Sequence, residues 1–172
     1  MNVGTTIIKS RRSIRAYRDE PVSGEIIRDV LDCARLAPTA RNAQAWLFGV
    51  VTDGETLARL ADLATHGSFI TDAPVCFAVF GAREHEFWVE DCCAATTQLI
   101  LALQAHGVGS CWVAGAGREY AGAVRELLDV PDSFELASLV PAGFPADVKM
   151  PTKRRLEEVV FRERYGKEET GH

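Results

Sequence analysis

The sequence predicts a single α+β domain, on three observations. Segments with helical spacing of apolar residues interleave with short apolar runs bounded by glycine, proline or aspartate. No repeat of roughly 20 to 50 residues and no low-complexity linker divides them. The connections are also too irregular for the steady strand and helix alternation of a doubly wound sheet, which favours an α+β sandwich. With 172 residues, 47% of them hydrophobic, the chain is long enough to bury a substantial core.

The elements follow in order. Ser23 is an N-cap candidate with Glu25 in the first turn; Ile26, Ile27, Val30, Leu31 and Ala34 continue at helical spacing, and the helix should stop before Pro38. Trp46 to Val51 reads as a strand closed by the Asp53-Gly54 turn. Residues 55 to 65 place Leu57, Leu60, Ala61 and Ala64 on one helical face, and Pro74 to Phe80 reads as a buried strand. The longest helix runs from about Phe87 to His106; its wide apolar face predicts a central position, and Gly107 is its stop. Ser110 to Val113 reads as a strand, Tyr120 to Leu128 as a helix ending before Pro131, and Phe134 to Val140 as a strand. Arg162 to His172 carries too little apolar surface to fold alone. The expected division is one domain over 1–161 and a hydrophilic tail over 162–172, either disordered or laid on a partner chain.

Composition narrows the partners. The formal charge is −5, from 19 basic and 24 acidic side chains, which argues against nucleic acid or an anionic membrane as a general electrostatic partner. No apolar run approaches a bilayer span and no signal-peptide pattern opens the chain, so a cytoplasmic location is expected. The five cysteines (Cys33, Cys76, Cys92, Cys93, Cys111) are odd in number and sit in apolar segments, which suits a reducing compartment. The four histidines show no zinc-binding spacing, and no metal site is expected.

Against that acidic background two basic clusters stand out. Ser10-Arg11-Arg12-Ser13-Ile14-Arg15 gathers three guanidinium groups and two hydroxyls, chemistry that matches phosphate oxygens; Lys153-Arg154-Arg155 is a candidate second clamp. Composition alone favours a solvated charged turn for each. Between them, Ala37 to Trp46 carries Asn42 and Gln44, amides that donate and accept as a flavin's pyrimidine edge requires, or that form an ordinary polar loop. Gly107-Val108-Gly109-Ser110-Cys111-Trp112 is no dinucleotide fingerprint, because its glycines follow a helix and precede a strand. It reads as a helix stop and a strand, then a turn at Ala114-Gly115-Ala116-Gly117 where backbone can approach a ligand.

In order and wording, five blocks resemble the FMN-dependent nitroreductase family: Arg11 to Tyr17; Ala37-Pro38-Thr39 through Asn42, Gln44 and Trp46; Glu90-Asp91 at the head of the long helix; Gly107 to Trp112; and Gly143-Phe144-Pro145 followed by Lys153-Arg154-Arg155. The resemblance implies a sandwich with a central, mostly antiparallel sheet flanked by helices, and an intertwined homodimer with FMN at the subunit interface. It implies that Arg11, Arg12 and Ser13 hold the phosphate and ribityl chain, with Lys153 and Arg155 completing the clamp. Arg15 would sit near N1 and O2 of the ring, Asn42 would bond the pyrimidine edge, and the Gly115 amide, beside Ala114, would face N5. Pro38, Thr39 and Ala40 would reach the flavin of the other subunit. Positive charge near N1 and an N–H near N5 are what a protein is expected to contribute when a cofactor carries the chemistry.

The activity so implied is NAD(P)H-dependent reduction of nitroaromatics, quinones or enones by ping-pong hydride transfer through flavin N5. No Asp, Glu, His or Cys stands out as a general acid or base. Only 22 residues separate Val51 from Pro74, so the mid-chain helices that roof the pocket in longer relatives are absent. Ala114 stands where some relatives carry an acidic residue. Two alternatives share the motifs: a specialised relative such as a reductive dehalogenase, and a flavin-binding module for storage or sensing without rapid turnover.

Overall fold

The computed structural model describes residues 2–166. Ten elements lie along them: α1 (Val3–Ser10), α2 (Gly24–Arg35), β1 (Trp46–Val51), α3 (Gly54–Leu63), β2 (Val75–Ala82), α4 (Trp88–Ala105), β3 (Gly109–Ser110), β4 (Val113–Ala114), α5 (Ala121–Leu127) and β5 (Phe134–Gly143). Single 3-10 turns cover Ala40–Asn42, Ser68–Asp72 and Leu156–Glu158.

The sheet is antiparallel throughout its named strands. Its order is β1-β2-β5-β3, with β4 also paired to β5. Strand periodicity sorts its residues into two cores. Cys76, Ala78 and Phe80 point to one face and join Leu57, Leu60, Ile70, Ala121 and Val124 from α3, the Ser68–Asp72 turn and α5. Val75, Phe77 and Val79 point to the other face and join Val30, Ala34, Cys92, Leu99 and Leu103 from α2 and α4. The result is the expected sandwich, helices on both sides of one sheet.

A bulge in β5 sets its facing. Val79 pairs with Ser138 but Phe80 pairs with Leu136, leaving Ala137 as the extra residue. Leu136 and Leu139, three apart, therefore share one core while Ala137 packs in the other.

The predicted helices and strands lie where expected, with three differences. The first is α1, which the sequence reading passed over. Asn2 caps it by accepting the Thr5 N–H at 3.3 Å, and it buries no residue, so it has no apolar face turned to this chain's core. The second is that the expected strand Ser110–Val113 divides into β3 and β4 on one continuous register with β5. The Cys111 N–H reaches Pro141 O at 3.2 Å, but Pro141 has no N–H to return the bond, so the ladder breaks at that rung. The third follows from it: β5 does not end at Val140 but continues through Pro141 to Gly143, its proline placed where the ladder is already interrupted. The tail expected over 162–172 lies mostly outside the described residues; residues 162–166 are exposed.

Candidate functional site

Residues 13 to 18 run as an extended segment along the open edge of β3 and the end of β5. Ser13 pairs with Ser110, the Ile14 N–H donates to Ser110 O at 2.9 Å, the Arg18 N–H to Phe144 O at 2.8 Å, and the Ala146 N–H to Ala16 O at 2.9 Å. Ile14 is buried against Gly109, where a Cβ would come within 2.6 Å of Ile14 Cγ1, so this close approach requires glycine. The Tyr17 hydroxyl lies 2.8 Å from Ile14 O and 3.1 Å from Pro141 O, and burial pushes its pKa well above the usual tyrosine range. Arg15 is thus carried on backbone fixed from both sides.

Its side chain enters a cavity of about 650 Å³, whose walls include Phe69, His66, Trp112, Ala114 and Arg118. The Arg15 guanidinium carbon stands 5.7 Å from the centre of the Phe69 ring, a cation–π arrangement. The Cys111 thiol borders the same cavity. Burial raises its pKa, opposed by the positive charge of Arg15 and Arg11 and by Ser13.

The backbone alternation of β4 decides which amide faces the cavity. The Cys111 and Gly115 N–H groups donate to β5, to Pro141 O at 3.2 Å and Ala137 O at 2.9 Å. In an antiparallel pair alternate residues turn their N–H groups to opposite sides. The N–H groups of Trp112 and Ala114 consequently point away from β5, toward the edge that lines the cavity. The Gly115 amide, which the resemblance made the ring-facing donor, is engaged by the Ala137 carbonyl, whereas that of Ala114 turns to the cavity side. The Ala114 carbonyl is held in turn by the Tyr120 hydroxyl.

The two basic clusters approach one another without forming one clamp within the chain. Arg12 donates to Lys9 O at 2.8 Å and Arg11 O at 2.7 Å, and its Nε lies 3.2 Å from Met150 Sδ, three residues before Lys153. Arg155 pairs with Glu158 at 3.1 Å, an acid the sequence reading had not weighed. Among the described residues no hydrogen bond or ion pair joins Lys153 or Arg155 to Arg11, Arg12 or Ser13.

Pro38, Thr39, Ala40, Asn42 and Gln44 lie elsewhere, between α2 and β1, and none of them lines the Arg15 cavity. Their loop is tightly wound: Arg41, Asn42 and Gln44 have φ of 54, 55 and 51°, and the Gln44 N–H donates to Thr39 Oγ1 at 3.1 Å. The Gln44 side-chain amide turns back to Asn42 O at 3.3 Å, so it serves its own loop; Asn42 is exposed. A larger groove of about 1030 Å³ along α2 contains no predicted site residue.

Sequence reasoning missed His66, Phe69 and Arg118 as cavity residues and His85 beneath the loop, and it gave Trp112 and Asp91 only as parts of matching blocks, without a role. The one local signal for the cavity wall is His66-Gly67, a polar break between the expected helix over 55–65 and the buried strand from Pro74.

With this geometry established, comparison with known proteins is decisive. A profile of the Nitroreductase family matches residues 8–68 and 63–144. The chain belongs to the nitroreductase family. An Archaeoglobus fulgidus protein provisionally named an NADH dehydrogenase/NAD(P)H nitroreductase is 38% identical over 149 residues, 83% of this chain and 86% of its own. The Bacillus subtilis FMN reductase [NAD(P)H] is 31% identical over 183 residues, covering 93% and 73%. A provisionally named nitroreductase from Desulfovibrio desulfuricans, solved in complex with FMN, superposes with a TM-score of 0.86 at 30% identity, covering 96% of this chain and 99% of its own. The matched family residues contain Arg11 to Arg15, the 38–44 loop and β4, but stop short of Lys153 and Arg155.

Proposed function

We propose that this nitroreductase-family chain is an NAD(P)H-dependent FMN oxidoreductase that reduces small electron-poor acceptors, such as nitroaromatics, quinones or enones. The observation that carries this reading is the pairing of Arg15 with the outward Ala114 N–H at one cavity. Its volume of about 650 Å³ is within the range of cofactor pockets, roughly 300 to 1,000 Å³. The donor set also fits FMN: Arg11, Arg12 and Ser13 offer charge-assisted bonds to a phosphate at one end, while Arg15 and Ala114 offer a cation and an N–H to the ring at the other.

When bound, FMN supplies the centre that passes two electrons from the nicotinamide to the acceptor. The chain's own part is electrostatic. Arg15 favours negative charge at the N1 and O2 side of the ring, and its stacking on Phe69 limits its motion. The Ala114 N–H is fixed in direction by the bonds on either side of it and needs no reorganisation to donate. NAD(P)H and the acceptor would use the same cavity in turn, a ping-pong order.

Two observations support an intertwined homodimer with shared sites. The 38–44 loop and the Arg15 cavity are apart within one chain, as expected if each loop completes the site of a second copy. The segment 148–165 leaves Val148, Met150, Leu156, Val159, Val160, Phe161 and Tyr165 exposed, more apolar surface than water favours. One domain over residues 1–161 would then end in a segment laid against the partner. Five free thiols fit a cytoplasmic location.

The test is spectroscopic. Purified protein should be yellow or take up added FMN, and anaerobic mixing with NADH or NADPH should bleach the bound flavin. A protein that takes up no FMN would sink the reading. Bound flavin that neither nucleotide bleaches would favour storage or sensing instead.

A further inference from the structure

The 38–44 loop has an anchor outside itself. Asp91, in the first turn of α4 and only 6% exposed, accepts the Ala40 N–H on Oδ1 at 3.0 Å. Its other oxygen lies 2.9 Å from His85 Nε2. An ionised carboxylate only accepts, so His85 donates to it from Nε2. His85 is fixed in its turn, where its N–H donates to Ala82 O at 3.0 Å and its carbonyl accepts the Trp88 N–H at 3.1 Å. The chain of contacts runs from the end of β2 through His85 and Asp91 to the backbone of the loop.

The loop needs such an anchor. Arg41, Asn42 and Gln44 are non-glycine residues in the left-handed region, and such conformations persist where surrounding contacts fix them. Within the loop the bonds are short-range: Asn42 N–H to Thr39 O, Ala43 N–H to Ala40 O, and Gln44 N–H to Thr39 Oγ1. Those bonds set the loop's shape but not its position. Asp91 is the tie from its centre to the body of the fold.

We propose that Asp91, backed by His85, is a positioning residue for the flavin site: through the Ala40 N–H it holds Thr39 to Gln44 at the place where that loop completes the FMN site of a second copy. The inference rests on the FMN reading and on the shared site, and it assigns Asp91 no contact with flavin or substrate.

The test uses the full-length protein and FMN as the probe. Asp91→Ala should weaken FMN binding about tenfold, the loss expected for one charge-assisted bond, while kcat at saturating FMN stays within about twofold. Asp91→Asn keeps an oxygen for the Ala40 N–H and should restore affinity to within about threefold of wild type. Ala40→Pro removes only the donor. Thr39 is already extended (φ −132°, ψ 149°), as a residue before proline requires, and proline is tolerated at the first position of a helical turn. It should reproduce the Asp91→Ala defect with the His85–Asp91 pair intact, and it carries the test if Asp91→Ala fails to fold.

Wild-type FMN affinity in Ala40→Pro, or in a folded Asp91→Ala, overturns the proposal and leaves the FMN reading standing. Equal losses in Asp91→Asn and Asp91→Ala also overturn it, because the carboxylate would then act otherwise than through Ala40. A wild-type protein that binds no FMN removes the proposal together with the reading beneath it.

Discussion

Arg15 and Phe69 meet with the guanidinium carbon 5.7 Å from the ring centre, although one comes from the edge segment beside β3 and the other from the turn before β2. The contact joins the cavity's positive charge to its apolar wall. Arg15→Ala should therefore lower FMN affinity tenfold or more, since a hydrogen bond to a charged group contributes about 1.5 to 3 kcal/mol. Phe69→Leu keeps an apolar wall but removes the cation–π term of about 0.5 to 1 kcal/mol, and should cost about threefold. Lys153→Ala should weaken binding by a factor similar to Arg15→Ala if the second cluster reaches the phosphate. Flavin fluorescence titration measures all three, and unchanged affinity in Lys153→Ala would detach that cluster from the site.

Sharing of sites between copies predicts complementation. Arg15→Ala and Asn42→Ala chains should each bind FMN poorly alone. Refolded together, the mixed dimer should recover one tight site, built from the intact Arg15 of one chain and the intact loop of the other. If the loop served its own chain, both sites of the mixed dimer would stay defective, and titration would find no tight fraction.

Alkali should destabilise the fold through its buried thiols. Burial pushes the Cys76 and Cys92 thiols up to about 12, whereas an unfolded thiol ionises near 8.5. Between those values the native state keeps protons that the unfolded state has released. The stabilisation is thus fully present below about pH 8.5 and is lost as pH rises, by about 1 kcal/mol per pH unit for each thiol. Burial of Tyr17 acts in the same direction above its own unfolded pKa. Urea midpoints under reducing conditions should be level from about pH 7 to 8 and lower at pH 10; equal midpoints at pH 8 and 10 would refute the assignment.

Two glycines should respond to alanine in opposite ways. At Gly115 a Cβ would come within 2.6 Å of Leu136 Cγ and 3.0 Å of the Ala137 carbonyl carbon, and overpacking of this kind costs about 1 to 3 kcal/mol. Gly115→Ala should lower the melting temperature by roughly 3 to 10 °C and weaken FMN binding, because the Ala114 donor shifts with the turn. Gly122, in α5, has nothing within 4 Å, and Gly122→Ala should leave FMN affinity alone and raise stability by about 0.5 to 1 kcal/mol. Equal melting temperatures for Gly115→Ala and wild type would mean the turn tolerates a side chain.

Periodicity made most of the architecture legible, because β2 and α4 are buried and their apolar pattern is the direct imprint of two cores. Capping was legible too: Ser23 accepts the Ile26 N–H at 3.3 Å as its position implied. The failures have physical causes. α1 buries nothing in its own chain, so no apolar face turned to this core marks it. Pro141 reads as a strand end because proline lacks a donor, yet its missing N–H falls at the rung where β3 gives way to β4. Arg15 was identified from charge and resemblance. Its neighbours Phe69, His66 and Arg118 reach it only through tertiary approach, which local spacing does not encode. Which of the Ala114 and Gly115 amides turns to the cavity depends on strand parity, and that parity is set by the register of β3 and β4 on β5, a tertiary pairing that local sequence does not encode.

The β5 bulge separates what can vary from what cannot. The Ala137 carbonyl takes the N–H groups of both Gly115 and Ala116, at 2.9 and 3.1 Å, and so ends the ordered pairing at a defined point. Gly117, Arg118 and Glu119, immediately beyond, line the cavity outside that constraint. Gly117 is held to glycine by its φ of 67°, but laboratory evolution should be able to rewrite Arg118 and Glu119, and with them one wall of the cavity, while the Ala114 amide keeps its aim: wall and donor should then be heritable as independent traits.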